Sequence, residues 1–92
     1  MAVPKAAVDV GRGIMAVGGE LHSDEEAMLL EDGSVQADVW GINIYPSELG
    51  VDWIEFDSMI NVRPSQGNRQ RGVEDPALQA RIRAVVSSLV DR

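Results

Sequence analysis

Ninety-two residues, 45% hydrophobic and 25% charged, are enough for one soluble globular domain with a single core. The chain has no cysteine, which removes disulfides, thiolate metal sites and thiol nucleophiles together and fits a cytoplasmic setting. A net charge of −7 argues against a general nucleic-acid binder, and no run approaches the roughly 20 apolar residues that span a bilayer.

The opening "MAVPKAAVDV" lacks the apolar stretch of a signal peptide, because Asp9 interrupts it. "AAVDV" at 6–10 and "IMAV" at 14–17 are short apolar runs split by "GRG". Gly11 and Gly13 supply the conformations of a tight turn, which predicts a hairpin. In "SDEEAMLLEDG", Ser23 is an expected N-cap, Glu26 closes a capping box three residues later, and Gly33 stops the helix. Asp24, Glu25 and Glu26 crowd the first turn, where the helix dipole favours negative charge.

Two strands are expected next. In "VWGINIYP", Trp40, Ile42 and Ile44 share one face, and Gly41, Asn43 and Tyr45 the other. In "WIEFDSMINVR", Ile54, Phe56, Ser58, Ile60 and Val62 alternate with Glu55, Asp57, Met59, Asn61 and Arg63, a period of two that predicts one long half-buried strand. "PSELGVD" is a hairpin-length connection, so these strands are expected to be antiparallel neighbours. A polar stretch over 63–74 leads to a helix over 75–91. Asp75 suits its cap, Pro76 its first position, and Leu78, Ile82, Val85 and Leu89 form an apolar stripe.

The order β-β-α-β-β-α predicts an α+β domain: a four-stranded, mainly antiparallel sheet with two helices on one face. The opposite face would carry Asn43, Glu55, Asp57, Asn61 and Arg63, either wet or covered by another chain. With "AVGGELH", "EDGSVQADVWGINIYP", "WIEFDSMINVRPSQGNR" and "RGVEDP" read in order, the chain resembles a small family of bacterial and archaeal proteins of unknown function. The resemblance covers residues 6–90 and implies an autonomous cytoplasmic prokaryotic domain. It implies no activity and no catalytic residues. Members of that family often carry a further segment before the first strand, where here Met1 to Lys5 stand. Together with Trp40 and Trp53, this suggests apolar surface that one chain leaves uncovered, and so a homodimer.

The most informative polar stretch is "NVRPSQGNRQRG" at 61–72. It holds three of the eight basic residues and none of the fifteen acidic ones, which leaves −10 on the rest of the chain. Arg63, Arg69 and Arg71 can form bidentate bonds to carboxylate or phosphate. Ser65, Gln66 and Asn68 add neutral hydrogen-bonding groups, and Gly67 allows a left-handed turn. Two readings stand: a site for an anionic small molecule or acidic partner, or neutralisation of the chain's own Glu55, Asp57, Glu74 and Asp75. The first makes the protein a binding module.

An alternative is a metal-assisted hydrolase or phosphotransfer enzyme using Glu55, Asp57 and His22, with Asn43 as a third oxygen ligand for a hard cation. His22 is the only imidazole and lies between Glu20 and Asp24, yet it equally suits a strand-to-helix junction. No cofactor or dedicated metal motif is present. Gly18 and Gly19 precede a helix, but the three acids of its first turn would repel a phosphate. The third alternative is a purely structural homo-oligomeric subunit.

Overall fold

The first hairpin is made by one carboxylate. Asp9 closes β1 (Lys5–Asp9), and its Oδ1 accepts from the Gly11 and Arg12 N–H groups at 2.9 and 3.0 Å. This folds the chain into β2 (Ile14–Val17), with Ala6 opposite Val17 and Asp9 opposite Ile14. Of the two turn glycines, Gly13 alone takes a positive φ, 68°. The other edge of β1 pairs with β3 (Val39–Ile44), which pairs in turn with β4 (Ile54–Glu55). The sheet order is β2-β1-β3-β4, antiparallel throughout. A helix α1 (His22–Glu31) joins β2 to β3, and α2 (Pro76–Leu89) ends the fold, giving the expected α+β order. The computed structural model describes residues 4–48 and 50–90, so position 91 of the expected second helix lies outside the described residues. No described helix is long and apolar enough to cross a membrane.

The helices divide between the two faces of the sheet, which corrects the expectation that both pack on one. Ala6 and Val8 of β1 and Trp40, Ile42 and Ile44 of β3 cluster with Ile82 and Val86 of α2. Their strand neighbours Ala7 and Val39 cluster instead with Leu29 of α1. Successive strand residues point to opposite faces, so α1 and α2 sandwich β1 and β3 between them. All six residues of β3 are buried. Side chains such as Val8, Ile42, Ile82 and Val86 have no exposed surface, and each contributes about 1.5–3 kcal/mol by burial. Trp40 and Trp53 lie in this core, so they do not mark uncovered apolar surface. On α2 the inward stripe is Leu78, Ile82, Val85 and Val86; Leu89 is 50% exposed.

The long strand over 53–63 does not form. Only Ile54 and Glu55 pair with β3, after which the chain leaves the ladder and makes two short 3₁₀ turns, Met59–Asn61 and Pro64–Gln66. Continuing the register that sets Asn43 opposite Glu55 would place Asp57 opposite Gly41. Instead the Asn61 carboxamide takes that place. Its Oδ1 accepts from the Gly41 N–H at 2.8 Å and its Nδ2 donates to the Gly41 C=O at 2.9 Å. Short polar side chains compete in this way with ladder hydrogen bonds, which is why the period-two pattern misleads here. Ser58 assists by accepting from the Ile60 N–H.

This turn sits so close to β3 that Gly41 tolerates no side chain. A Cβ there would lie 2.6 Å from both Cβ and Oγ of Ser58. Gly41→Ala is therefore expected to cost about 1–3 kcal/mol through overpacking. Asn61→Ala orphans both Gly41 groups and should cost about 3 kcal/mol or more, at roughly 1–3 kcal/mol per unsatisfied buried group. Urea denaturation of the two variants measures both.

Candidate functional site

The arginine-rich stretch is mostly turned inward. Its ends are tied by the Arg63 and Asn68 backbones, bonded to each other in both directions at 2.7 and 3.1 Å, around Pro64–Gln66 and a left-handed Gly67. Arg63 is buried beneath this turn. Its Nε donates to the Ile60 C=O, Nη1 to the Gln36 C=O and Gln66 Oε1, and Nη2 to the Val39 C=O and Glu26 Oε2. The guanidinium also lies over the Trp40 ring, 4.6 Å from its centroid. Burial lowers its pKa from the ordinary arginine range, and Glu26 opposes the shift. All five donors face protein oxygens, so Arg63 has none to offer an outside anion.

Asn68 is similarly committed. Its Nδ2 lies within hydrogen-bond distance of the carbonyls of Asn61, Gln70 and Gly72, and its Oδ1 accepts from the Glu74 N–H. Gln66 donates to the Ala37 C=O. Asn61, expected on a polar face either wet or covered by another chain, is fully buried within this one. Ser65 and Arg69 are exposed; Arg69 engages Glu74 through its backbone N–H, and its guanidinium has no hydrogen bond among the described residues.

Arg71 is the arginine that reaches the polar side of the sheet. Its Nε donates to Asp57 Oδ1 at 2.6 Å, in a pair whose side chains are 56% and 46% exposed. Beside it opens a groove of about 270 Å³. Lys5, His22, Asn43, Tyr45, Glu55, Asp57 and Arg71 line it. Period two on β3 sets Asn43 and Tyr45 on one face, while antiparallel pairing brings Lys5 and Glu55 to either side of Asn43. Asn43 Nδ2 donates to Glu55 Oε1 at 2.9 Å, and the Tyr45 hydroxyl lies 3.3 Å from the same oxygen. Partial burial, then Glu55 and Asp57, hold the Tyr45 phenol above its usual pKa, so it remains a donor. The expected site residues thus separate. Asn43, Glu55, Asp57 and Arg71 meet in this groove, whereas Arg63, Gln66, Asn68 and Asn61 brace the fold.

Lys5 and Tyr45 were not singled out by sequence. Tyr45 was legible from its shared face with Asn43, but Lys5 enters only through strand pairing. His22 contributes at the groove's end, with Nε2 2.7 Å from the Ile42 carbonyl. A carbonyl only accepts, so this nitrogen carries the hydrogen and is not a metal ligand. Among the described residues no group of three or more His, Cys, Asp or Glu side chains could hold a metal ion.

The three acids near the start of α1, of which Asp24 and Glu25 fall in its first turn, have different tasks. The helix begins at His22 rather than after Ser23, and Asp24 Oδ2 caps it by accepting from the Leu21 N–H. Glu26 pairs with Arg63, and Gly33, at φ 101°, makes the expected stop. Glu25 is fully buried, with one oxygen accepting from the Gly19 N–H at 3.2 Å and the other unpartnered. Burial raises its pKa from 4.5 to about 7, against the Gly19 bond and Lys5.

Arg63→Ala strands the carbonyls of Gln36, Val39 and Ile60, and should cost about 3 kcal/mol or more. Arg69→Ala should stay within about 0.5 kcal/mol, and chemical denaturation separates the two. For Glu25, the unfolded chain releases its proton near pH 4.5 while the folded chain keeps it to about pH 7. The folded state binds more protons in that window, so this contribution is full below pH 4.5 and is lost as pH rises through 7, by up to about 3 kcal/mol. Glu25→Gln should remove that slope from unfolding midpoints measured at pH 5, 6, 7 and 8.

Comparison with known proteins gives a family and no activity. The family model described as a protein of unknown function (DUF5674) matches residues 1–89, and the chain belongs to that family. No curated protein and no solved structure matches the chain.

Proposed function

We propose that this member of a family of unknown function is a small binding module that holds an anionic group of a ligand or partner between Arg71 and Lys5, beside the polar edge of the sheet. The observation that carries the proposal is the groove itself. It unites the exposed end of the arginine-rich stretch with Lys5 and with the hydrogen-bonding groups of Asn43 and Tyr45. Arg71 spends only Nε on Asp57, which leaves its terminal amino groups to receive a carboxylate or phosphate. The small volume suits a metabolite-sized molecule or one terminus of a chain, since drug-sized ligands occupy about 300–1,000 Å³.

Metal-assisted hydrolysis has less support. Glu55 and Asp57 already accept bonds from Asn43, Tyr45 and Arg71, and the His22 nitrogen that faces β3 is a donor. Self-association is a second reading, favoured by the outer edge of β2. That strand ends the sheet order, and its Val17 is exposed, the kind of edge that invites pairing with a second copy. Sedimentation equilibrium showing a monomer at high micromolar concentration would remove it. The absence of cysteine and the family resemblance support a cytoplasmic setting.

The test of the binding site is an amide chemical-shift titration with phosphate and small carboxylates. Saturable shifts are expected at Lys5, Asn43 and Tyr45, weakening with salt. Arg71→Ala should raise the dissociation constant about tenfold or more while costing the fold only about 0–1 kcal/mol, the usual range for an exposed pair. Unchanged affinity in Arg71→Ala would overturn the proposal.

A further inference from the structure

The groove that holds Arg71 and Lys5 has a neighbour of different character. A second hollow, of about 240 Å³, lies where the start of α1 meets the Met59–Asn61 turn. Lys5, His22 and Arg71 line both hollows, so the two adjoin at these three side chains. The rest of the second lining is largely apolar, with Leu21, Met59 and Ile60. Met59 opens the 3₁₀ turn that replaces the expected strand, and Leu21 is the residue just before α1. Ile60 packs inward on the cluster around Leu29, but Met59 is 64% exposed and Leu21 59%. Apolar side chains left this open in one hollow gain free energy when another apolar group covers them.

Charge separates the two hollows. In the first, Glu55 and Asp57 oppose Lys5 and Arg71. Among the described residues no carboxylate lines the second, so in a chain of net charge −7 it sets two cations beside apolar carbon. Arg71 gives Nε to Asp57, which leaves its terminal amino groups for an outside acceptor. His22 is held at the junction by its bond to the Ile42 carbonyl. Phosphate or acetate would satisfy the cations and leave Leu21 and Met59 wet. An uncharged apolar molecule would cover those side chains and offer the cations no partner. A polyanion would extend toward Glu55 and Asp57 and be repelled. A single carboxylate on an apolar body meets every one of these conditions.

Deepening the binding-module reading, on which it rests, we propose that the protein binds a small apolar monocarboxylate such as a short-chain fatty acid. Arg71 and Lys5 hold its carboxylate where the hollows meet, and its hydrocarbon lies against Leu21, Met59 and Ile60. The arginine fork suits a carboxylate, and Lys5 adds a second charge. The apolar hollow is smaller than the roughly 300–1,000 Å³ of sites for drug-sized ligands, which favours a body of a few carbons.

Hexanoate, acetate and hexanol separate the two halves of the site, each titrated into the full chain at neutral pH and followed by amide chemical shifts. Hexanoate is expected to bind about tenfold or more tightly than either of the others, with shifts at Lys5, Leu21, His22 and Met59. Met59→Ser and Leu21→Ser, both at exposed positions, should each weaken hexanoate about fivefold and leave acetate nearly unchanged. Acetate binding as tightly as hexanoate would overturn the assignment and leave the anion site of Arg71 and Lys5 standing. Hexanol binding as tightly would overturn it too, because the cations would not be reading the ligand. So would an unchanged affinity for hexanoate in both serine variants, which would put the hydrocarbon elsewhere. N-acetyl-leucine, which mimics the free end of a peptide, would transfer the site to a chain terminus if it bound more tightly than hexanoate. If neither carboxylate binds, and phosphate also fails, the assignment and the binding-module reading fall together.

Discussion

The pairing of the Asn61 carboxamide with both backbone groups of Gly41 is the constraint on which the second half of the chain depends. A strand edge normally needs a neighbouring strand or water to satisfy its N–H and C=O groups. Here one side chain stands in for a peptide unit, and β4 can stop after two residues. The chain thereby freed turns back across β3, and the same Asn61 Nδ2 also holds the Arg71 carbonyl at 2.9 Å. The Arg71 carbonyl in turn receives the Ser58 N–H. Arg71 is thus fixed beside Asp57 by the interaction that shortened the strand.

The remaining polar residues of the loop extend this brace. Arg63 satisfies the Val39 carbonyl, the next group along the edge of β3, and ties it to the turn before that strand through Gln36. Asn68 gathers three carbonyls of its own loop. Side chains that resemble an anion-binding loop in sequence are spent on backbone groups that a short β4 leaves unpaired. Surrounding an arginine with protein oxygens removes it from recognition as completely as removing its charge would. What reaches the groove is the end of the loop, where Arg71 is half exposed and retains donors.

Sequence conveyed the local features and missed those set by tertiary packing. The first hairpin, the αL stop at Gly33 and the Asp75–Pro76 start of α2, where Asp75 Oδ1 accepts from the Ala77 N–H, were all readable because their causes lie within a few residues. The two faces of β3 followed from alternation. The length of β4 did not, because Phe56, Ser58 and Ile60 keep the apolar spacing of a strand while Asn61 competes for the edge. Nor did the positions of the helices. Ala7, Val39 and Gly41 are small or neutral enough to read as a solvated face, yet they form the floor on which Leu29 of α1 and Ile60 pack. In the groove, Asn43, Glu55 and Asp57 were legible from spacing. Lys5 and the bracing role of Arg63 required knowledge of which strands meet.

Native-state hydrogen exchange at Gly41 tests the central claim most directly. Gly41 lies beside β1 on one edge, but on the β4 edge no strand is opposite it, and there its N–H donates to Asn61 Oδ1. The account predicts that it exchanges as slowly as the Ile42 and Ile44 amides, which are held by the sheet. Exchange at the rapid rate of an open strand edge, with Ile42 and Ile44 still protected, would contradict it.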